Sequence, residues 1–494
     1  MKPNREYTKY GQQVGYVIGA NIALLLLGFI RLPILTKELG ATLYGTWSLI
    51  NTTVTLIVPF ASLGLGLAIL RFLAGERDRN RIGEDFFSAC SVVFISGAAF
   101  SILLFIFSNY LAATILRDIN LSFYIKLASI LILLNAIYEL ILNFFRMQKK
   151  IGLYTAFNTI RHALSVGLIV LALLLDYQLT GVITATIICV MLICFIQLLI
   201  IMRQVDFHVP RFSNMKTYLK WGLPLTPNSA ILWILKFSDR YIVSYFMGIT
   251  TAGIYSAAFR VGEYSSFTIM ALSIVLYPTI IKLYEEKNLK ETSRYLKYSL
   301  KYSMMIALPS SFGLSILAKP ILSILTTPEF VIGTTVVPFV AFGAILFGIY
   351  QICLQIIYIA NKTFLIVRLL VVSAALNIIL NIILIPRMGI VGAAVATLIS
   401  YGVLGILTLL VSRRYLRFDL SVIFTLKAIL ASAIMTICIW LINPESITLV
   451  MISIFIGVII YFVVLLLLKG LNKSEIALLI HLVKDNIRKI HKTE

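Results

Sequence analysis

Apolar runs of roughly twenty residues, each long enough to cross a hydrocarbon core of about 30 Å, recur from one end of this chain to the other. In hydrocarbon every backbone polar group must be satisfied by the spanning structure itself, which leaves helices and closed barrels. Continuous runs of this length, without strict alternation, read as helices. Of the 494 residues, 60% are hydrophobic and 13% charged, with a mean hydropathy of +0.98; soluble domains carry about 25% charge. The expectation is an all-α polytopic membrane protein with about fourteen transmembrane helices. They fall near 12–35, 43–70, 86–108, 122–145, 151–175, 180–202, 217–246, 250–280, 298–318, 331–358, 363–385, 389–411, 421–442 and 447–468. The loops are too short to hold a catalytic domain outside the membrane. The first apolar run is longer than the core of a cleavable leader.

The formal net charge is +21. In a membrane chain that excess marks cytoplasmic loops rather than a nucleic-acid surface. With the N-terminus inside, the inner segments hold 29 lysines and arginines and the outer segments four, Lys37, Arg117, Lys319 and Arg387. This asymmetry places both termini inside and agrees with an even number of spans. The five cysteines stand singly in apolar runs and read as small core residues, with no metal or disulfide frame. The tail from Ser474 to Ile490 puts Ile476, Leu479, Ile480, Val483, Ile487 and Ile490 on one helical face. It is either a helix lying on the inner membrane surface or a solvated basic tail that enforces topology.

Two halves of the chain repeat at a nearly constant offset. Gly40-x4-Gly45-x-Trp47 matches Gly248-x4-Gly253-x-Tyr255 at 208 residues, and Gly181-Val-Ile-Thr-Ala-Thr186 matches Gly392-Ala-Ala-Val-Ala-Thr397 at 211. Arg31 and Arg240 lie 209 apart, and Arg161 and Arg368 lie 207 apart. Six spans separate each match, so the copies point the same way: two parallel six-helix bundles about a pseudo-twofold axis along the membrane normal. The alternative is that small residues recur at helix starts because they permit close packing. The division expected is 1–210 for the first bundle, 211–418 for the second, 419–470 for two additional helices and 471–494 for a basic cytoplasmic tail. Two such bundles enclose a cavity, and rocking one against the other gives alternating access.

Within the spans cations outnumber acids, nine to three. A cation in hydrocarbon costs at least a few kcal/mol and is kept where it faces a bundle interior, a wet cavity or an anionic ligand. Arg31 lies in Gly28-Phe-Ile-Arg31-Leu-Pro33 and Arg260 in Ala257-Ala-Phe-Arg260-Val-Gly262; Arg161, Arg240, Arg368 and Lys236 also fall in or at the ends of apolar runs. Arg presents a planar fork suited to phosphate, so a diphosphate or acidic sugar is the expected passenger. The acids are Glu139, Asp239 and Glu263. Glu263 can share a helix face with Arg260 three residues before it, and Asp239 adjoins Arg240. Each pair is either structural, neutralising a buried charge, or a place where a coupling proton or sodium binds. Asn21, Asn51, Asn135, Asn158, Asn228, Gln351, Gln355, Asn377 and Asn381 either line a sugar-compatible cavity or tie helices together. His162 is either a proton-sensing group or a packed one. Lys126, Lys220 and Lys427 read as residues that snorkel or anchor at span ends. There is no phosphate-binding loop for ATP, no metal-ligand spacing and no paired acid and base. A cofactor is not expected.

Four segments resemble the multidrug/oligosaccharidyl-lipid/polysaccharide exporter superfamily in its polysaccharide-flippase branch. Gly28-Phe-Ile-Arg31 is similar to the first-span arginine motif of lipid II flippases. Gly40-x3-Tyr44-Gly45 and Ser62-Leu-Gly64-Leu-Gly66-Leu-Ala-Ile-Leu-Arg71 resemble the two ends of span 2 in oligosaccharide flippases. Tyr255-x4-Arg260-x2-Glu263, followed by Leu276-Tyr-Pro278, resembles span 8 of both groups. The resemblance implies a secondary transporter, not an enzyme, in the cytoplasmic membrane. It would flip polyprenyl-diphosphate-linked oligosaccharides for surface-polysaccharide assembly. The lipid tail would stay in the bilayer beside a portal between spans 1 and 8. Arg31 and Arg260 would contact the headgroup; Arg161, Arg240, Arg368 and Lys236 would supply field; Glu263 or Asp239 would carry a coupling ion. Contacts with polysaccharide-assembly proteins would follow. Lipid II flippases carry an acid directly after the first arginine, where this chain has Leu32, which favours another glycan. Two rival readings are a small-molecule exporter of the same fold, which would prefer an acidic cavity for cationic drugs, and a glycan polymerase, which needs a larger outer loop.

Overall fold

The computed structural model describes residues 5–266, 280–281 and 283–471, and every regular element among them is helical. The first element, α1 (Arg5–Ala61), would run about 85 Å if straight. It is broken at Gly40, whose φ of 65° and ψ of 178° leave the helical region, a conformation open to a residue without Cβ. One element therefore carries the first two expected spans. There follow α2 (Leu65–Phe72), α3 (Arg79–Leu111) with a π turn at Ala112–Leu116, α4 (Ser122–Ala128), α5 (Ile130–Met147), α6 (Ile151–Leu174), α7 (Gln178–Val205), α8 (Met215–Gly222), α9 (Thr226–Met247) and α10 (Ile249–Glu263). The rest of the bundle is α11 (Leu289–Ile316), α12 (Ala318–Leu325), α13 (Val336–Ile359), α14 (Thr363–Met388), α15 (Ile390–Tyr415), α16 (Val422–Ile442) and α17 (Ile447–Leu467).

Ten helices among the described residues are long and apolar enough to cross a membrane, and α11 with α12, bent by 68°, makes an eleventh. That makes this a multi-pass membrane protein. The reasons the number falls short of fourteen are local. Gly19–Ala61 counts once although Gly40 divides it. Helix α9 holds Lys236, Asp239 and Arg240, and α10 ends beside residues outside the described set. Leu276-Tyr-Pro278 and the expected amphipathic tail also lie outside the described residues.

The matched glycines of the repeat touch. A Cβ on Gly45 would stand 2.3 Å from the Ile249 carbonyl oxygen, and one on Gly253 would stand 2.1 Å from that of Ala41. Only glycine lets two backbones approach so closely. Above and below this crossing, Thr42 Oγ1 shares a hydrogen bond of 2.8 Å with Thr250 Oγ1, and Ser48 Oγ donates to Ser256 Oγ at 2.9 Å. Each hydroxyl meets its own counterpart 208 residues away.

The segment joining α7 to α9 is fastened to the start of α3. Asp85, 5% exposed, accepts from Tyr218 Oη at 2.7 Å and, through both carboxylate oxygens, from Asn214 Nδ2 at 3.1 Å. Ser88 Oγ accepts the backbone N–H of Arg211 and Phe212. One hydrophobic core runs from Leu32 through Val261 to Ala394, so apolar packing crosses the midpoint of the chain. A second joins α11 to α16 and α17.

Candidate functional site

A cavity of about 400 Å³ opens where α1, α6 and α10 face one another. Three helices bring its polar side chains together. From α1 come Asn21, Arg31, Tyr44, Trp47, Ser48 and Asn51; from α6 comes His162; from α10 and the turn after it come Arg260, Glu263 and Tyr264. The break at Gly40 folds α1 back on itself, so that Arg31 before the break and Trp47 after it meet: the Arg31 guanidinium lies 5.7 Å from the Trp47 ring centroid. This contact holds the cation without neutralising it. The Nε of Arg31 is buried with no hydrogen-bond partner among the described residues. A buried donor left unpaired costs about 1–3 kcal/mol, and an incoming anion relieves that cost.

Arg260 stands on the opposite wall. Its side chain is 56% exposed, which at this position means exposed to the cavity, and it lies 3.5 Å from Glu263 Oε2. An open i,i+3 pair of this kind is weak, about 0.2–0.5 kcal/mol, so Arg260 remains free to exchange its partner for a stronger anion. Tyr264 closes the side toward α1, with its ring stacked on Phe29 at a centroid distance of 3.9 Å. Its hydroxyl is buried and unpartnered among the described residues.

The other four cations named from sequence do not share this cavity. Arg240, 6% exposed, lies 3.1 Å from Asp239 Oδ1. The Asp239 carboxylate also accepts from Tyr255 Oη, and Arg240 packs over the rings of Phe237 and Phe259. Both charges are thereby occupied within the second half of the chain. Arg161 turns from the cavity toward α5, donating to Asn135 Oδ1 and lying 4.2 Å from the Tyr138 ring centroid. Lys236 lines a separate cavity of about 370 Å³ together with Asn228, Trp233, Phe347 and Gln351. Arg368 is exposed near the start of α14, over Phe364.

Among the amides, Asn21 and Asn51 line the main cavity. Asn135 serves Arg161. Asn377 and Asn381 are buried and bonded to each other. His162 is exposed to the cavity. Tyr44, Trp47 and Tyr264 were not named from the sequence as site residues. In helices apolar on every side an aromatic residue carries no facial signal, although the Trp47–Tyr255 match marked that level of the bundle.

Comparison with known proteins agrees with this architecture. A family model described as "Polysaccharide biosynthesis protein" matches residues 10–284, and a second, MatE, matches residues 224–383. The chain is 26% identical over 282 residues to the probable low-salt glycan biosynthesis flippase Agl15 of Haloferax volcanii, covering 56% of this chain and 59% of that relative. It thus spans about three-fifths of the relative's length. Among solved structures, the lipid II flippase MurJ in an inward closed conformation superposes with a TM-score of 0.77 at 20% identity, covering 90% of this chain and 98% of that one. An inward-facing multidrug resistance MATE family transporter of the MOP superfamily superposes with a TM-score of 0.69 at 15% identity, over 79% and 94% of the two chains. At these identities the likeness to solved structures is one of fold.

Proposed function

Because this chain belongs to the polysaccharide biosynthesis protein family, we propose that it flips lipid-linked oligosaccharides from the inner to the outer leaflet by alternating access, without catalysing a reaction. The observation that carries this reading is the pairing in one cavity of Arg31, whose buried Nε has no partner among the described residues, and the exposed guanidinium of Arg260. Two arginine forks on opposing helices suit a diphosphate. The flanking Asn21, Asn51, Ser48 and His162 supply the hydrogen-bonding groups a sugar needs. A glycan biosynthesis flippase among the relatives and a lipid II flippase among the similar structures support the same passenger class.

The finer architecture we read as fourteen spans with both termini inside, two parallel six-helix bundles (1–210 and 211–418) and two additional helices (419–470). Self-contact at an offset of 208 supports it: in a twofold arrangement only residues beside the axis meet their own counterparts. On this orientation the break at Gly40 lies at the outer end. There Ala41 N donates to Glu329 Oε1 at 2.8 Å, Thr36 Oγ1 donates to the Leu325 carbonyl at 3.2 Å, and the rings of Tyr44 and Phe330 meet edge to face. These contacts close the outer end. Two hydrogen bonds, each worth about 0.5–1.5 kcal/mol net, are a small barrier for passenger binding to overcome.

For ion coupling we favour Glu263 over Asp239. Asp239 is already engaged by Arg240 and Tyr255, whereas Glu263 lines the cavity and shares its charge with a cation the passenger would claim. Arg161, Arg240, Arg368 and Lys236 then act on the passenger through field alone. The MatE match favours a second reading, export of small molecules. A cavity carrying two arginines against one glutamate disfavours cationic drugs, and a drug-susceptibility screen separates the two. The test of the first reading is a deletion strain: lipid-linked glycan should accumulate in the inner leaflet. Accumulation of single units outside would instead point to a polymerase defect, and no accumulation would reject flipping.

A further inference from the structure

Away from the central cavity, at the end of the bundle richest in basic residues, four lysines converge on a pocket of about 460 Å³. Lys297 and Lys301 reach it from one face of α11, Lys427 from the first turns of α16, and Lys469 from the residues after α17. Pockets of this size take ligands of headgroup dimensions. The four belong to three helices, so they are gathered by the fold and not by one basic run.

The pocket is built rather than a chance cluster of surface charge. Lys301 is only 7% exposed, with its ammonium 4.9 Å from the Phe424 ring centroid. A lysine so covered is rare. Asp419 takes Lys297 at 2.5 Å and the Ser421 N–H at 3.0 Å. Among the described residues, Lys427 donates only to the Lys469 carbonyl oxygen and Lys469 has no acidic partner. The 21-residue helix α16 begins beside the pocket with no side-chain cap, which leaves its first backbone N–H groups without a side-chain acceptor. Ser421, in the left-handed region at φ 50°, presents a hydroxyl that is buried and unpartnered among the described residues. The ammonium groups of Lys427 and Lys469, an uncapped helix start and a spare hydroxyl are complementary to one chemistry, a phosphate anion.

We propose that this pocket binds a net-negative phosphate group, supplied either by the headgroup of an inner-leaflet phospholipid or by soluble phosphate. It lies at the joint between α11 and the two additional helices. A bound phosphate would bridge Lys427 and Lys469 and fasten α16 and α17 to the second half of the chain. Basic pockets between helices on the cytoplasmic side are where anionic headgroups settle. The site is independent of the Arg31 cavity and of the passenger carried there.

The test uses the full chain in mild detergent, with thermal unfolding followed as ligand is added. Phosphatidylglycerol should raise the melting temperature saturably, and phosphatidylcholine should not. Lys427→Gln and Lys469→Gln should each weaken the response roughly fivefold, the worth of one lysine near an anionic surface, while Lys427→Arg retains it. If inorganic phosphate alone saturates the same shift with the same sensitivity to Lys427→Gln, the site stands and its ligand is soluble phosphate. Equal responses to phosphatidylglycerol and phosphatidylcholine, or wild-type responses from both glutamine variants, overturn the site. Because these lysines are not in the Arg31 cavity, an outcome here does not bear on flipping.

Discussion

Arg31 and Arg240 stand 209 residues apart, near the offset of the repeat, and their surroundings differ. Arg240 is locked against Asp239; the buried Nε of Arg31 has no hydrogen-bond partner among the described residues. Their substitutions should therefore differ in kind. Asp239→Ala strands a buried cation and should cost about 3–5 kcal/mol of stability, seen as a large drop in melting temperature. Glu263→Gln, at a 36% exposed side chain, should change the melting temperature little and act on transport instead. Arg31→Ala should leave folding intact or slightly improved, since it removes an unpaired buried donor. It should weaken passenger binding at least tenfold, by loss of a charged hydrogen bond worth about 1.5–3 kcal/mol. Titration of wild type and variant with the lipid-linked glycan measures it. Arginines inside apolar runs were legible from sequence because hydrocarbon leaves few cheap places for them. Which of six would share a cavity was not. That depends on side-chain direction, as Arg161 shows by turning to Tyr138 while its neighbour His162 faces the cavity.

Among the elements, the break at Gly40 and the crossing at Gly45 and Gly253 place Arg31 and Arg260 on facing walls. Gly45→Val would force β-branched bulk against a backbone carbonyl 2.3 Å from the Cβ position. Overpacking of this kind costs about 1–3 kcal/mol, and here it should separate the halves as well. A lowered melting temperature together with lost transport is the expected result, checked by unfolding and by flux on one preparation. The sequence revealed these glycines through their matched spacing, and it hid that the matched residues touch each other. At the joint of α11 and α16, the Lys297 ammonium and the Ser421 N–H hold the Asp419 carboxyl below the usual aspartate range. A carboxyl depressed by folding stabilises the native state above its unfolded pKa, about 3.9, and that contribution fades as pH falls through the lower folded value. Acid titration of stability below pH ~4 should be flatter in Asp419→Asn than in wild type.

Across the whole molecule the helical membrane class was fully legible, because apolar length alone compels it. The number of spans was less so. A glycine break can sit inside one continuous helical stretch, and a span as polar as α9 does not declare itself by hydropathy. The charge pattern of the cavity is a property of the assembly: four of the six cations named from sequence are held elsewhere, and two remain facing the passage. With those two neutralised, the bundle should still fold and still fail to carry an anionic headgroup.

Translocation in reconstituted vesicles tests that claim most directly. The measurement is movement of a labelled polyprenyl-diphosphate glycan across the bilayer by wild type and by the Arg31→Ala, Arg260→Ala double variant, both checked for native melting. The wild type should move the lipid-linked glycan, and the folded double variant should be slowed at least tenfold, the effect of losing charged contacts worth about 1.5–3 kcal/mol each. Wild-type rates from the folded double variant would contradict it.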